Sequence, residues 1–232
     1  MSQNYTSESF QVFKTKDGSN SIQNIVLGDT YHSVHGAFQE SQHVFIENGL
    51  KLGFYNNKKS LNILELGFGS GLNALLTLNN CDSQMHAVRY VTLEKFPIPK
   101  ELANKLDYHL LSGLNNYLED FQVLHECEWN KFVLISKFFE FKKVLIDFNE
   151  YTPDSTFDII YHDAFAPQTH EEAWNEEFLR KCHSWLNQGG FLITYCAKGD
   201  FKRTLKACGF EVETLKGPIG KREITRAFRQ PL

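Results

Sequence analysis

The run Leu61-Asn62-Ile63-Leu64-Glu65-Leu66-Gly67-Phe68-Gly69-Ser70-Gly71-Leu72-Asn73 constrains the fold more than any other stretch of this chain. A short apolar, partly β-branched segment ends in an acid, three glycines follow at alternate positions, and a helical pattern (Leu72, Leu75, Leu76) begins at once. Strand, tight glycine turn and helix in that order bring the backbone of an α/β fold against a ligand. The spacing departs from the dinucleotide fingerprint, in which the third glycine stands three positions after the second. Here it stands two after, and an acid lies two before the first.

Glu65-x-Gly67-x-Gly69-x-Gly71 resembles the first motif of class I S-adenosylmethionine methyltransferases, with a nucleotide cofactor as the competing reading. The resemblance implies a Rossmann-like, doubly wound α/β sheet, mostly parallel with an antiparallel C-terminal strand. The rest of the chain fits. Phe10–Thr15 and Ile22–Leu27 flank Asp17-Gly18, a hairpin signal, and 36–50 reads as a helix packed on the core. These form an expected appendage over residues 1–58, ending in a polar turn at 56–60, with the methyltransferase domain over 59–232. Within that domain strands are expected at 87–93, 132–135, 139–148, 157–162 and 191–196. Helices are expected at 100–117, at 170–186 (stopped by Gly189-Gly190) and at 201–208. Two last strands surround Gly217-Pro218-Ile219-Gly220.

With 42% hydrophobic and 22% charged residues the chain reads as an ordinary soluble globule. No apolar run approaches the roughly 20 residues of a membrane span, and the first ten residues lack the regions of a signal peptide. The five cysteines form no C-x-x-C pair and the nine histidines show no metal spacing. A cytoplasmic, metal-free protein with reduced thiols is expected. The net charge of -4 argues against a uniformly basic nucleic-acid binder, yet nine basic residues stand against four acids between Lys198 and Arg229. Such asymmetry marks either a phosphate-binding edge or a solvated helix face.

Acids recur at the expected strand ends, where ligands sit in such sheets. Glu94 lies 23 residues beyond Gly71, where a ribose-binding carboxylate belongs. Asp147 stands to accept the adenine amine, with Phe148 lining a ring face. Glu65 either orders the glycine loop or meets the cofactor's amino group. Gly67, Phe68, Gly69, Gly71, Asn73, Lys95 and Ala164 complete the cofactor-binding expectation. Asp163, in Asp163-Ala164-Phe165-Ala166-Pro167, stands where amino-methyltransferases carry an acid or amide. An alkyl amine is mostly protonated near neutral pH. A carboxylate here can accept an N–H bond, aim the lone pair and take the proton. Phe165 and Trp174 either stack on a flipped-out base or belong to the core.

Several blocks together resemble a narrower family, the MnmC-type tRNA 5-methylaminomethyl-2-thiouridine methyltransferases. They are Tyr31-His32-Ser33, Gly36-Ala37, Glu40-Ser41 with Val44-Phe45-Ile46, the glycine turn through Asn73, Glu94-Lys95-Phe96-Pro97, Asp163 to Pro167 with Trp174, and Lys221-Arg222-Glu223. The resemblance implies S-adenosyl-L-methionine-dependent N-methylation of 5-aminomethyl-(2-thio)uridine at the tRNA wobble position, with Asp163 as catalytic acid. Phe165, Pro167 and Trp174 would meet the substrate base. Lys198, Lys202, Arg203, Lys221 and Arg222 would grip phosphates of the anticodon arm. Because the sequence ends at Leu232 with no flavin oxidase half, a separate enzyme supplying the aminomethyl uridine is expected. His162 departs from the apolar residue usual before the acid, and either tunes it or caps the strand. The alternatives are a class I methyltransferase acting on a small-molecule or protein amine, and a non-catalytic RNA-binding subunit of the same fold.

Overall fold

The computed structural model describes residues 9–55 and 58–230. Asn56 and Asn57, in the polar turn expected at 56–60, lie outside the described residues. β1 (Phe10–Lys14) and β2 (Asn20–Asn24) pair antiparallel in the hairpin expected around Asp17-Gly18, from Phe10↔Asn24 to Lys14↔Asn20. The turn closes because Asp17 Oδ1 accepts the Ser19 N–H at 3.0 Å and the Thr15 hydroxyl at 2.7 Å, while Gly18 takes φ +86°. A short β3 (Asp29–Thr30) adds a third strand.

The helix expected at 36–50 runs further and is not uniformly α. α1 (Ala37–Ser41) passes into a π-helical stretch, Gln42–Leu50, and then α2 (Lys51–Phe54). Lys51 N–H reaches back five residues to Ile46 C=O. Gly49 lets this stretch approach the sheet, since a Cβ there would stand 3.3 Å from the Tyr161 ring.

The main sheet follows: β4 (Ser60–Leu66), α3 (Leu72–Gln84), β5 (Ala87–Glu94), α4 (Lys100–Ala103), α5 (Leu118–Glu126), β6 (Val133–Ser136), β7 (Phe139–Leu145), β8 (Phe157–His162), α6 (Glu176–Trp185), β9 (Leu186–Thr194), α7 (Gly199–Ala207), β10 (Phe210–Lys216) and β11 (Glu223–Arg229). The strand order is β10-β11-β9-β8-β4-β5-β7-β6. β7, β5, β4, β8 and β9 are parallel, and β11 runs antiparallel to both β9 and β10. β6 is a further antiparallel strand, at the opposite edge.

Both faces of the central parallel strands are buried, so apolar residues stand next to one another there, as in Ile63-Leu64, Tyr90-Val91 and Ile159-Ile160, and successive residues serve opposite layers. Ile63, Tyr90 and Ile159 pack with Phe45, Leu75 and Phe121, on the face bearing α3, α5 and the N-terminal segment. Leu64, Val91 and Ile160 pack with Trp174, Phe178 and Leu205, on the face bearing α6 and α7. In the described residues no helix is long and apolar enough to cross a membrane, no His, Cys, Asp and Glu group could hold a metal ion, and the five cysteines are free.

Three expected elements are corrected. Of the helix at 100–117 only Lys100–Ala103 is α-helical, and a separate helix covers Leu118–Glu126. Asp107 and Gly113 between them adopt φ +52° and +83°, which an α-helix does not admit. The helix at 170–186 is a single 3-10 turn (Glu171–Trp174) followed by α6, which Asn175 caps by accepting the Phe178 N–H at 2.8 Å. Gly189-Gly190 lies inside β9, where a Cβ on Gly190 would stand 2.9 Å from the Asp158 carbonyl oxygen of the neighbouring strand.

Candidate active site

The strand order reverses at β4: the chain proceeds to β5 and β7 on one side, then returns to β8 on the other. Such a switch point leaves a crevice at the carboxyl ends of the two central strands. A cleft of about 790 Å³ lies there, lined by residues following β4, β5, β7 and β8 and roofed by residues 24–45. That volume falls within the roughly 300–1,000 Å³ of ligand pockets.

The glycine turn forms its floor. Gly67 and Phe68 N–H both donate to Leu93 C=O, at 3.0 and 3.2 Å, and Gly69 N–H donates to Glu94 Oε2 at 3.0 Å. Gly67, Gly69 and Gly71 take φ +93°, +51° and +76°. A Cβ on Gly69 would stand 2.8 Å from the Tyr31 ring, and one on Gly71 2.8 Å from His125 Nε2. The turn is therefore both left-handed and squeezed, which admits only glycine without rearrangement.

Glu94 lines the cleft at the tip of β5. Burial pushes its carboxyl up against the pull of the Gly69 and Phe96 N–H groups. A carboxylate has about four acceptor positions, and the Gly69, Phe96 and Lys95 N–H groups take up to three, so at least one remains for a hydroxyl in the cleft. Lys95, Phe96, Ile146, Phe148 and His170 extend this end, with the Phe148 and His170 rings edge to face at 5.0 Å.

At the other end Asp163 follows β8. Its Oδ2 accepts from Asn73 Nδ2 at 2.7 Å, and Asn73 is held in the first turn of α3. Burial, with the Glu40 charge adding to it, pushes the Asp163 carboxyl up to about 8. Asn73 Oδ1 is buried without a hydrogen-bond partner. Phe165 and Tyr31 pack edge to face at 5.0 Å, and both line the cleft.

Gly67, Phe68, Gly69, Asn73, Glu94, Lys95, Phe148, Asp163 and Ala164 thus meet in one cleft, with Phe165 and Lys221. The other named residues do not line it. Glu65 is 1% exposed, beneath the floor, its carboxyl pushed up to about 8 by burial. Gly71 precedes α3 as its N-cap. Asp147 does not itself line the cleft. Its neighbours Ile146 and Phe148 line the cleft, while its own carboxylate accepts Lys95 Nζ at 2.7 Å and the Asn149 N–H at 2.9 Å. Burial alone would raise it, but these hydrogen bonds outweigh burial and hold it below the usual carboxylate range.

Trp174 is buried in the core, one of its two expected places, and its indole N–H donates to Phe165 C=O at 2.8 Å. His162 packs on it at 4.2 Å and pairs through Nε2 with Ala173 C=O at 2.7 Å, and burial lowers the imidazole to about 4. His162 is therefore a neutral core residue that fixes the loop after Asp163. Pro167 lies outside the cleft wall. Lys198, Arg203 and Arg222 are exposed outside the cleft. Lys202 pairs with Glu223 at 2.7 Å, and Arg203 with Asp200. Lys198, Lys202 and Lys221 all act on the Cys196 thiol, which groups them on one side.

Tyr31, His32, Glu40, His170 and Tyr195 line the cleft as well, and reading the sequence assigned them no role. The first three stand in blocks already notable for resemblance. No local pattern marks His170 or Tyr195. The residues present fit S-adenosyl-L-methionine: an apolar slot edged by a carboxylate, a glycine floor with no room for side chains, and an unpartnered amide oxygen at the reactive end.

A family model described as S-adenosyl-L-methionine-dependent methyltransferase matches residues 105–230, more than half of the chain. The tRNA 5-methylaminomethyl-2-thiouridine biosynthesis bifunctional protein MnmC of Marinomonas sp. (strain MWYL1) is 31% identical over 215 residues, which are 85% of this chain and 31% of that protein. The protein of the same description from Cupriavidus metallidurans is 32% identical over 217 residues, 88% of this chain and 32% of that one. The chain thus spans about a third of the length of the curated relatives it matches. Among solved structures, MnmC2 from Aquifex aeolicus aligns with a TM-score of 0.71 at 24% identity, covering 96% of this chain and 72% of that chain. A putative class I methyltransferase from Listeria monocytogenes gives 0.52 at 11% identity, covering 84% and 62%. At these identities the structural likeness establishes the fold.

Proposed function

The chain belongs to the S-adenosyl-L-methionine-dependent methyltransferase family, and from that premise we propose that it methylates the exocyclic amine of 5-aminomethyl-(2-thio)uridine at the tRNA wobble position, in the cytoplasm. The observation that carries this reading is Asp163: a carboxyl at the cleft end of β8, oriented by Asn73 and pushed up to about 8. A base so tuned suits removal of a proton from an alkylammonium near neutral pH. S-adenosyl-L-methionine, when bound, supplies an electrophilic methyl group.

The chain's own residues do the rest. Glu94 is placed for the ribose hydroxyls, the slot of Ile146, Phe148 and His170 for the adenine ring, and the turn from Gly67 to Gly69 for close passage of the amino-acid end. Asp163 accepts an N–H bond from the substrate, takes its proton and leaves the lone pair directed into the cleft. Phe165, fixed through Trp174, offers a ring beside Asp163 for the substrate base. Exposed Lys198 and Arg222, with Lys202, Arg203 and Lys221, suit phosphates outside the cleft. The MnmC relatives carry the substrate class in their names, and about two thirds of their length is not matched here. A separate enzyme supplying the aminomethyl group is part of this proposal.

The test is nucleoside mass spectrometry of tRNA bearing 5-aminomethyl-2-thiouridine after incubation with the protein and S-adenosyl-L-methionine. Conversion to the methylaminomethyl nucleoside is expected. No conversion, with S-adenosyl-L-methionine binding intact, would refute the substrate assignment.

A further inference from the structure

Beside Asp163 the cleft holds a second carboxylate without a task in the reaction above. Glu40, on α1, is 7% exposed and lines the cleft. Its Oε2 accepts the Ser33 N–H at 3.0 Å and its Oε1 meets Lys221 Nζ at 2.5 Å. The Lys221 ammonium lies 3.9 Å from the centre of the Tyr195 ring, and the Tyr195 hydroxyl donates to Ala164 C=O at 2.8 Å, one residue from Asp163. Glu40 is near enough to Asp163 to raise its proton affinity, and Lys221 near enough to lower it. Ser41 and Asn73 line the same cleft, and Ser41 Oγ is buried without a hydrogen-bond partner.

Two carboxylates in one water-poor pocket repel unless a cation compensates them. Carboxylate on one side and an aromatic face on another is also what an alkylammonium seeks. Lys221 is itself an alkylammonium, so its head group reports what the pocket accepts. The unpartnered Ser41 oxygen can accept a further N–H bond from such a group.

We propose that Glu40 is the recognition carboxylate for the ammonium of the incoming substrate, and that Lys221 is a resident counter-ion that the substrate displaces. This rests on the reading of the substrate as an aminomethyl nucleotide in RNA. The exchange conserves charge. Lys221 leaves Glu40 for a phosphate of the RNA, the substrate ammonium takes its place at Glu40, and Asp163 receives the proton that departs before methyl transfer. Glu40 thus selects the protonated amine, and an oligonucleotide without the aminomethyl group leaves Lys221 no reason to move.

The experiment compares binding of two otherwise identical anticodon-arm RNAs, one with 5-aminomethyluridine and one with uridine, to the wild type, Glu40→Gln and Lys221→Met, alongside steady-state kinetics. The wild type is expected to prefer the aminomethyl RNA by about tenfold, the worth of one charge-assisted hydrogen bond. Glu40→Gln should lose that preference and raise KM by about tenfold, with kcat changed far less. Lys221→Met should keep a preference for the aminomethyl RNA, because Glu40 remains, and should flatten the salt dependence of that RNA alone while leaving the uridine RNA nearly unchanged. Melting temperature and S-adenosyl-L-methionine affinity report folding, and Glu40→Asp, which withdraws the charge by one methylene, replaces Glu40→Gln if that variant does not fold. Undiminished preference in whichever Glu40 variant folds overturns the proposal. Absence of turnover by the wild type on the aminomethyl RNA overturns the substrate reading first, so the two failures are distinguishable.

Discussion

Replacing Glu65 with glutamine should stabilise this protein, and by an amount that depends on pH. Glu65 is 1% exposed, with Thr92, Asn73 and Tyr90 around its carboxyl and Oε2 lacking a well-formed hydrogen bond. Burial moves the carboxyl from an ordinary 4.5 to about 8, so the folded protein holds it neutral at pH 7 while the unfolded chain ionises it. The folded state therefore binds the extra proton, and stability falls with rising pH in that interval. The contribution is complete below pH 4.5, is lost as pH rises towards 8, and is constant above. At pH 7 the penalty is about 3 kcal/mol, and above pH 8 about 5 kcal/mol. Glutamine has the shape of the protonated acid and does not titrate, so the penalty disappears. Urea unfolding of both proteins at pH 5, 7 and 8.5 measures the effect. The gap should widen in favour of Glu65→Gln by about 4 kcal/mol between the extremes. Asp163 titrates in the same range and its charge adds to the rise at Glu65, so its contribution differs between the two proteins, by less than the burial effect at Glu65 itself. Parallel pH dependences, or a variant less stable throughout, would mean that Glu65 is ionised in the folded protein.

Asp163→Asn should bind S-adenosyl-L-methionine nearly as the wild type does while losing about a hundred- to ten-thousand-fold in kcat, measured by single-turnover methyl transfer. In the wild type kcat/KM should rise with pH towards about 8, because Asp163 is protonated below that value and cannot take the substrate's proton; the asparagine variant should lack this limb. Gly69→Ala combines a left-handed residue with a Cβ 2.8 Å from Tyr31. It should lower stability by at least about 1–2 kcal/mol and weaken S-adenosyl-L-methionine binding, by calorimetry, about tenfold or more. Trp174→Phe removes the donor that holds Phe165 C=O. A loss of about 1–2 kcal/mol in unfolding free energy, with a fall in turnover at unchanged S-adenosyl-L-methionine affinity, is the expected outcome.

The glycine turn was legible because its conformations admit few other residues and its flanking periodicities switch from two to near four within a few positions. β8 was readable as Phe157–His162 because a fully buried strand is a short apolar run bounded by polar residues. The orientation of Asp147 was not legible because it lies beyond the end of β7, where alternation no longer says which of three consecutive residues faces the cleft. Gly189-Gly190 read as a helix stop, whereas the pair serves close strand approach, a tertiary demand with no local signature. The break of the helix after Ala103 came from Asp107 in a left-handed conformation, which its sequence surroundings do not announce. Glu40 and Tyr195 escaped assignment for a different reason: each joins the cleft by way of chain segments far from the glycine turn, so only the folded arrangement brings them to Asp163.

That last circumstance bears on how the protein is made. The walls beside Asp163 are drawn from residues near 30–40 and from Tyr195 and Lys221, with Gly220 pressed against His35. A nascent chain still in the ribosomal tunnel beyond about residue 190 owns the glycine turn but lacks Tyr195 and Lys221, which close the wall beside Asp163. Ligand capture during translation should therefore begin only once the final strand pair emerges, and a ribosome-stalled series of lengthening chains would show it as a late, single step.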